Sequence, residues 1–370
     1  MKLGIQFFAQ KEQEMAAEFK KDCAEKIPAY WKTRLDEVEQ TLNLVKFGKV
    51  STPRVSAGGR PIYVVEYGHS TLHNRLSNCS SALGAGKIEA YADKTAPDYV
   101  PTVFLCGCIH GGEFEGTAAI LNLIKLIETG TDYREQRNDK LISLVKKVHL
   151  ILVPMVNPDG RSHIPFDSFV GRTFEDLRYY NQGTWKDGSL CGWPECKAVH
   201  PIKEHVDYLG GYFNDDGINM MHEDFFSDNI STGTKLVFDI CREYAPDFSI
   251  LLHGGDNVQN QILFPPYSSG KTKKQIQLLV DSVKRRSDEE GLLFVHTSPQ
   301  NDEDNDTPAS FNLISAMHHC CSEPAVTYET NQGLFERFIP YTYDEIYRSH
   351  IILFEETIIN CLNRYNIAIS

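Results

Sequence analysis

The stretch Val103-Phe104-Leu105-Cys106-Gly107-Cys108-Ile109-His110-Gly111-Gly112-Glu113-Phe114-Glu115-Gly116 decides the fold. Its opening residues form an apolar run too short for a helix and without polar alternation, the pattern of a strand buried on both faces. Two glycines then permit a tight turn that carries a histidine and a carboxylate. Residues 116–129 continue with apolar positions at helical spacing, so strand, polar turn and helix follow one another.

Working outward, the same kind of run recurs at 148–153 and 248–252, each ending where polar or metal-binding residue types begin. Residues 61–67 follow a Gly58-Gly59-Arg60 turn and predict a strand, which starts a sheet domain near residue 50; 325–329 predicts another strand. Helices are predicted over 271–290 and 343–365. Strands alternating with helices indicate an α/β fold with a mixed sheet flanked by helices, whose ligand sites collect at the carboxyl ends of strands. Residues 161–213, rich in Gly, Tyr, Asn, Trp, Pro and Asp, read as loops over one end of that sheet. Residues 1–50 predict an N-terminal helical extension, two helices broken near Pro28, and residues 51–370 a single catalytic domain.

The 370 residues carry 37 Lys plus Arg against 50 Asp plus Glu, a formal charge of −13, which repels nucleic acid and anionic membrane surfaces. No apolar run approaches the roughly 18 residues of a membrane helix, and residues 1–6 run into a charged segment too early for a secretory signal, so the expected setting is cytoplasmic. Ten cysteines are too few for a disulfide scaffold and are expected to be buried thiols. Cys191 and Cys196 lack the second pair that a zinc ribbon needs.

His110 and Glu113, three residues apart in a glycine-rich strand exit, can converge on one zinc ion. A second strand exit, Leu252-His253-Gly254-Gly255-Asp256, supplies another histidine and completes a His, Glu, His set with one position open to water. Either histidine alone reads as an ordinary residue at a sheet edge; both together with two carboxylates do not. Glu329, ending the 325–329 strand, is placed to take a proton from that water. These residues describe metal-assisted hydrolysis of an acyl bond.

Across residues 55–365 the sequence resembles the zinc carboxypeptidases of the carboxypeptidase A type, peptidase family M14. The resemblance is carried by Gly59-Arg60-Pro61-Ile62-Tyr63-Val64, by His110-Gly111-Gly112-Glu113, by Asn157-Pro158-Asp159-Gly160, by His253 followed by Leu263-Phe264-Pro265, and by Thr327-Tyr328-Glu329. It implies an eight-stranded type of mixed sheet, zinc held by His110, Glu113 and His253, Glu329 as general base, and a peptide or amide substrate. It also implies an arginine beside the developing oxyanion, where the chain offers Arg178 and Arg172, with Arg178 preferred for its Leu177-Arg178-Tyr179-Tyr180-Asn181 context.

The chain departs from the family where the substrate's terminal carboxylate is gripped. The family's Asn-Arg pair is matched by Met221 and His222 in Gly217-Ile218-Asn219-Met220-Met221-His222. An imidazole offers one hydrogen bond and cannot replace a permanently charged fork. Asn219 and His222 are therefore candidate substrate-binding residues, with Ile314 as an apolar floor for the leaving residue and Asp256 as a partner for a cationic or polar group. Without another Arg or Lys in the pocket, a free terminal carboxylate and its amide should be weakly discriminated. The leading expectation is a zinc metallocarboxypeptidase-like hydrolase. The alternatives are a zinc amidase or N-acyl amino acid deacylase, and a binding protein that retains the pocket without catalysis.

Overall fold

A computed structural model describes residues 26–72, 75–256, 259–299, 308–335 and 341–369. Its main sheet has seven strands in the order β1-β2-β4-β3-β7-β9-β8. These are β1 (Lys49–Val55), β2 (Pro61–Tyr67), β3 (Thr102–Gly107), β4 (His149–Val153), β7 (Phe248–Gly255), β8 (Gln261–Leu263) and β9 (Ala325–Asn331). The short strands β5 (Gly183–Trp185) and β6 (Val206–Leu209) form a separate antiparallel ribbon. The mixed α/β architecture is the expected one, with seven strands rather than eight in the main sheet among the described residues.

The four central strands β4, β3, β7 and β9 are parallel, and β1, β2 and β8 pair antiparallel at the two edges. Every residue of β3 and β4 is buried, because helices cover both faces. Along β3 the side chains alternate: Val103 and Leu105 enter a core shared with helices Phe114–Thr129, Gly270–Glu289 and Tyr343–Arg364. Phe104 and Cys106 enter the opposite core, shared with helices Thr232–Tyr244 and Leu313–Cys321. Two covered faces are the reason the strand sequences show no polar alternation.

The first of the two N-terminal helices lies outside the described residues. The second is Leu35–Leu42, whose Val38 and Leu42 pack in the same core as Val65 and Leu150. Trp31 meets the Tyr343 ring edge-on at 4.8 Å. The segment from Trp31 to Leu42 thus packs onto the catalytic core, although the sequence reading assigns it to an extension ending at residue 50. No helix among the described residues is long and apolar enough to cross a membrane.

Two sequence motifs lock together behind the strand exits. Asp159 accepts from Arg60 Nη1 at 2.8 Å and from the Gly58 amide at 3.0 Å, joining the Gly58–Arg60 turn to the Asn157–Gly160 turn. Asn157 donates to the Ile109 carbonyl at 3.0 Å and accepts from the Gly160 amide at 3.0 Å, which fixes the backbone one residue before His110. Gly111 then lies so close to this turn that a Cβ there would sit 1.9 Å from the Gly160 carbonyl carbon. Because the obstacle is backbone, it cannot swing aside. Gly111→Ala is therefore expected to destabilise the fold by roughly 1–3 kcal/mol or more and to lower zinc stoichiometry; urea unfolding and metal analysis check both, and wild-type values for each would refute the contact.

Candidate metal centre and cleft

β3 and β7 are neighbours with Gly107 paired to Leu252, so their carboxyl ends release His110 and His253 side by side. The His110 and His253 rings lie 4.9 Å apart at 77°. Both face one carboxylate: His110 Nδ1 is 2.7 Å from Glu113 Oε1, and His253 Nδ1 is 2.8 Å from Glu113 Oε2. All three side chains are buried. Their ligand atoms lie within 4.8 Å of one another, a grouping able to hold a metal ion.

The electrostatics follow from burial and pairing. Desolvation would raise Glu113, but the two imidazoles outweigh it and hold the carboxyl at about 2. Burial lowers His110 against the pull of Glu113, while at His253 the same carboxylate overcomes burial and raises the pKa. His110 Nε2 lies 3.1 Å from Asn219 Oδ1, which can only accept. That contact places the ring proton on Nε2 and turns the Nδ1 lone pair toward Glu113 and the cluster. Asn219 is thus an orienting partner of His110, buried and away from the cleft wall, rather than a substrate contact.

The donors fit zinc. Two imidazoles and a carboxylate from two strand exits are the ligand types of a catalytic zinc site with one position left for water. Glu113 Oε2 is buried with its His253 contact but no well-directed hydrogen bond. Such an under-satisfied atom between two imidazoles needs an explanation, and a shared cation supplies one.

A cleft of about 650 Å³ opens over this cluster. Glu329 lines it from β9, where it pairs with His253 of β7 across the parallel ladder, and Thr327, two residues earlier, lies on the same face of the strand. Ile314, Met221 and Ile262 supply apolar wall, and Asp256 and His222 also line the cleft. Burial, followed by the nearby charge of Lys197, drives His222 down to about 3, so it is a neutral imidazole at ordinary pH.

The two candidate arginines do not line the cleft. Arg172 lies 3.5 Å over the Phe166 ring and its Nε donates to the Ser168 carbonyl. Arg178 packs near Phe174 and under Gly192, where a Cβ would come within 2.5 Å of its Nη2. The Arg172 guanidinium is thus taken up by a ring face and a carbonyl, while Arg178 stands half-buried between Phe174 and Gly192. The cleft instead contains Gln182, whose Oε1 is buried without a partner, and Lys197 and Lys273, the only Lys or Arg side chains among its described lining residues.

Several wall residues lay beyond sequence reasoning. Trp193 stacks on Tyr212 at 5.4 Å and 21°, and Tyr212 in turn lies 4.0 Å from the His110 ring. Lys197 places its ammonium 3.6 Å from the Trp193 centroid. They belong to the 161–213 segment, whose only signal was its density of aromatic and polar residues. Glu115 was missed as well: it is buried behind the cluster, receives Gln332 Nε2 at 3.1–3.2 Å, and is pushed up to about 8 by desolvation.

Fold and site together define a zinc metallohydrolase whose ligands leave adjacent parallel strands. The family model for zinc carboxypeptidases matches residues 29–309, and the chain belongs to that family of zinc metallopeptidases. Among solved structures, a metallo-carboxypeptidase from Burkholderia cenocepacia is similar at 13% identity and a TM-score of 0.59, covering 90% of this chain and 72% of that one. The carboxypeptidase A of Helicoverpa armigera is similar at 15% identity and a TM-score of 0.53, covering 98% and 82%. A Pseudomonas aeruginosa metallo-carboxypeptidase, in complex with (2-guanidinoethylmercapto)succinic acid, is similar at 13% identity and a TM-score of 0.53, covering 89% and 67%. At these identities the likeness is one of fold. No curated protein gives a significant sequence match.

A single zinc ion per chain is expected at His110, Glu113 and His253, and anomalous scattering at the zinc edge locates it. Asn219→Ala should weaken zinc binding by about 10–100-fold by freeing the His110 ring. A chelator competition showing unchanged affinity would remove Asn219 from that role.

Proposed function

We propose that the protein hydrolyses a peptide or amide bond near a free carboxyl end of its substrate, with Glu329 as general base. The observation that carries this reading is the pairing of Glu329 with His253 across adjacent strands, which puts a non-ligating carboxylate in the same cleft as the metal donors. Zinc held by His110, Glu113 and His253 supplies the positive charge that acidifies water and polarises a carbonyl.

The remaining work belongs to side chains. Glu329 takes the proton of the attacking water and passes it to the leaving nitrogen, since the same carboxyl serves as base and then as acid. Ile314, Met221 and Ile262 accept an apolar leaving residue, and neutral His222 offers one hydrogen bond. The segment 1–50 is proposed as an extension whose later part braces the catalytic domain. A reducing, cytoplasmic setting agrees with free thiols at all nine described cysteines.

A second reading has specific support: no arginine lines the described cleft, and Met221 with neutral His222 gives that wall no fixed charge. An amidase or N-acyl amino acid deacylase tolerates such a pocket. Product analysis from mixed peptides and acylated amino acids separates the two, with free C-terminal residues supporting the first and free acyl acids the second.

Glu329→Gln is expected to keep its zinc and its melting temperature while losing about a hundredfold or more in turnover, because an amide keeps the shape without the basicity. Metal content must be read beside rate. Joint loss of zinc and activity would put Glu329 among the ligands, and near-normal turnover would take it out of the chemistry.

A further inference from the structure

A substrate that carries a carboxylate into a partly desolvated cleft needs a cation there, because an unpaired buried charge is costly. Met221 is apolar and buried, His222 is neutral, and neither Arg172 nor Arg178 lines the cleft. The choice therefore falls between Lys197 and Lys273.

Lys273 stands in the first turn of the helix Gly270–Glu289. Lys197 stands on the His110 side, linked to the metal cluster by consecutive ring contacts: Lys197 over Trp193, Trp193 on Tyr212, and Tyr212 against His110. Trp193 also lies 6.2 Å from the His222 ring, so lysine, indole and imidazole share one corner. No carboxylate among the described residues pairs with the Lys197 ammonium. Desolvation lowers its pKa to about 8 although the residue is exposed, and an incoming anion would stabilise its charged form.

We propose that Lys197, backed by the Trp193 indole and flanked by the His222 imidazole, binds the free carboxylate of the substrate. The charge expected at positions 221–222 is then supplied from a different loop, 192–197. This rests on the peptidase reading, since it assigns the residue that recognises the terminal carboxylate of that substrate.

The test uses zinc-loaded full-length protein and blocked peptides ending in leucine or leucinamide, cleaved at the same bond. Wild-type kcat/KM should favour the free acid by about tenfold or more, the range of a charge-assisted hydrogen bond. Lys197→Met should abolish that preference while leaving amide cleavage within about twofold, and Lys197→Arg should retain most of it. Lys197→Met that still prefers the acid, or a wild type with no preference, overturns the assignment. Equal loss on acid and amide also overturns it, because the residue would then serve packing. If the zinc-loaded wild type cleaves neither peptide, the peptidase reading fails, and calorimetry with free leucine and leucinamide still judges Lys197. Leucine should bind about tenfold more weakly to Lys197→Met than to wild type, with leucinamide unchanged; equal leucine affinities refute the role.

Discussion

Glu113 sits between two imidazoles, and the positions of the surrounding chain follow from that contact. A carboxylate removed from water carries a penalty of several kcal/mol unless it is paired. Here both of its oxygens meet an imidazole nitrogen, and the carboxyl is held at about 2 despite complete burial. The pairing requires two segments far apart in sequence to end at one point, which adjacent parallel strands provide. Gly107 and Leu252 are register partners, with His110 three residues after the first and His253 directly after the second. Gly116 lets the helix after the first exit approach the second strand, since a Cβ there would lie 2.5 Å from Leu252 Cβ. The glycines around the histidines are thus required by the closeness of the backbones.

The same pairing limits what can stand behind it. Glu115 is also buried but has an amide partner, Gln332, and no imidazole of its own, so desolvation leaves it protonated at neutral pH. Gly254, next to His253, is where a side chain would strike it, its Cβ position being 2.6 Å from Glu115 Oε2. One carboxyl in this turn is charged and the other neutral, which keeps a single anion among the metal donors. Neighbours two residues apart on one short segment shift in opposite directions because only Glu113 has imidazoles beside it.

What the sequence disclosed, and what it withheld, divides along the range of the interactions. The strands 61–67, 248–252 and 325–329 were legible as apolar runs, and His110, Glu113, His253 and Glu329 as polar residues at their ends, because both signals are local. The strand β1 was not: Lys49–Val55 is mostly exposed and contains a proline, so it forms by pairing with β2 rather than by its own pattern. The helix Leu313–Cys321 was hidden because it is short and buried on almost every side, Ser315 and His318 included, so it shows no polar face at helical spacing. Arg172 and Arg178 were drawn toward the cleft by context, yet an aromatic face and a carbonyl were available to the first, and the packing of the 192 turn to the second. Loop tertiary contacts of that kind have no periodicity to betray them.

This division also separates chemistry from recognition in the molecule. His253 and Glu329 sit on strands whose backbones are fixed by ladder hydrogen bonds and two covered faces, and His110 and Glu113 in the turn that leaves β3, held by Asn157 on the Ile109 carbonyl, so their mutual positions tolerate little change. Trp193 and Lys197 hang on a loop between the short strands β5 and β6, anchored through Cys191 and Cys196 in a small core of its own. A charge can move from one loop to another without disturbing the strand exits, whereas a metal ligand cannot. Moving it also changes its character: an ammonium is a compact point charge that bonds an anion from many directions, where a guanidinium fork selects a planar one. A cleft whose anion is held by Lys197 should therefore keep the strand-borne hydrolytic chemistry while accepting a wider range of orientations in the group that leaves.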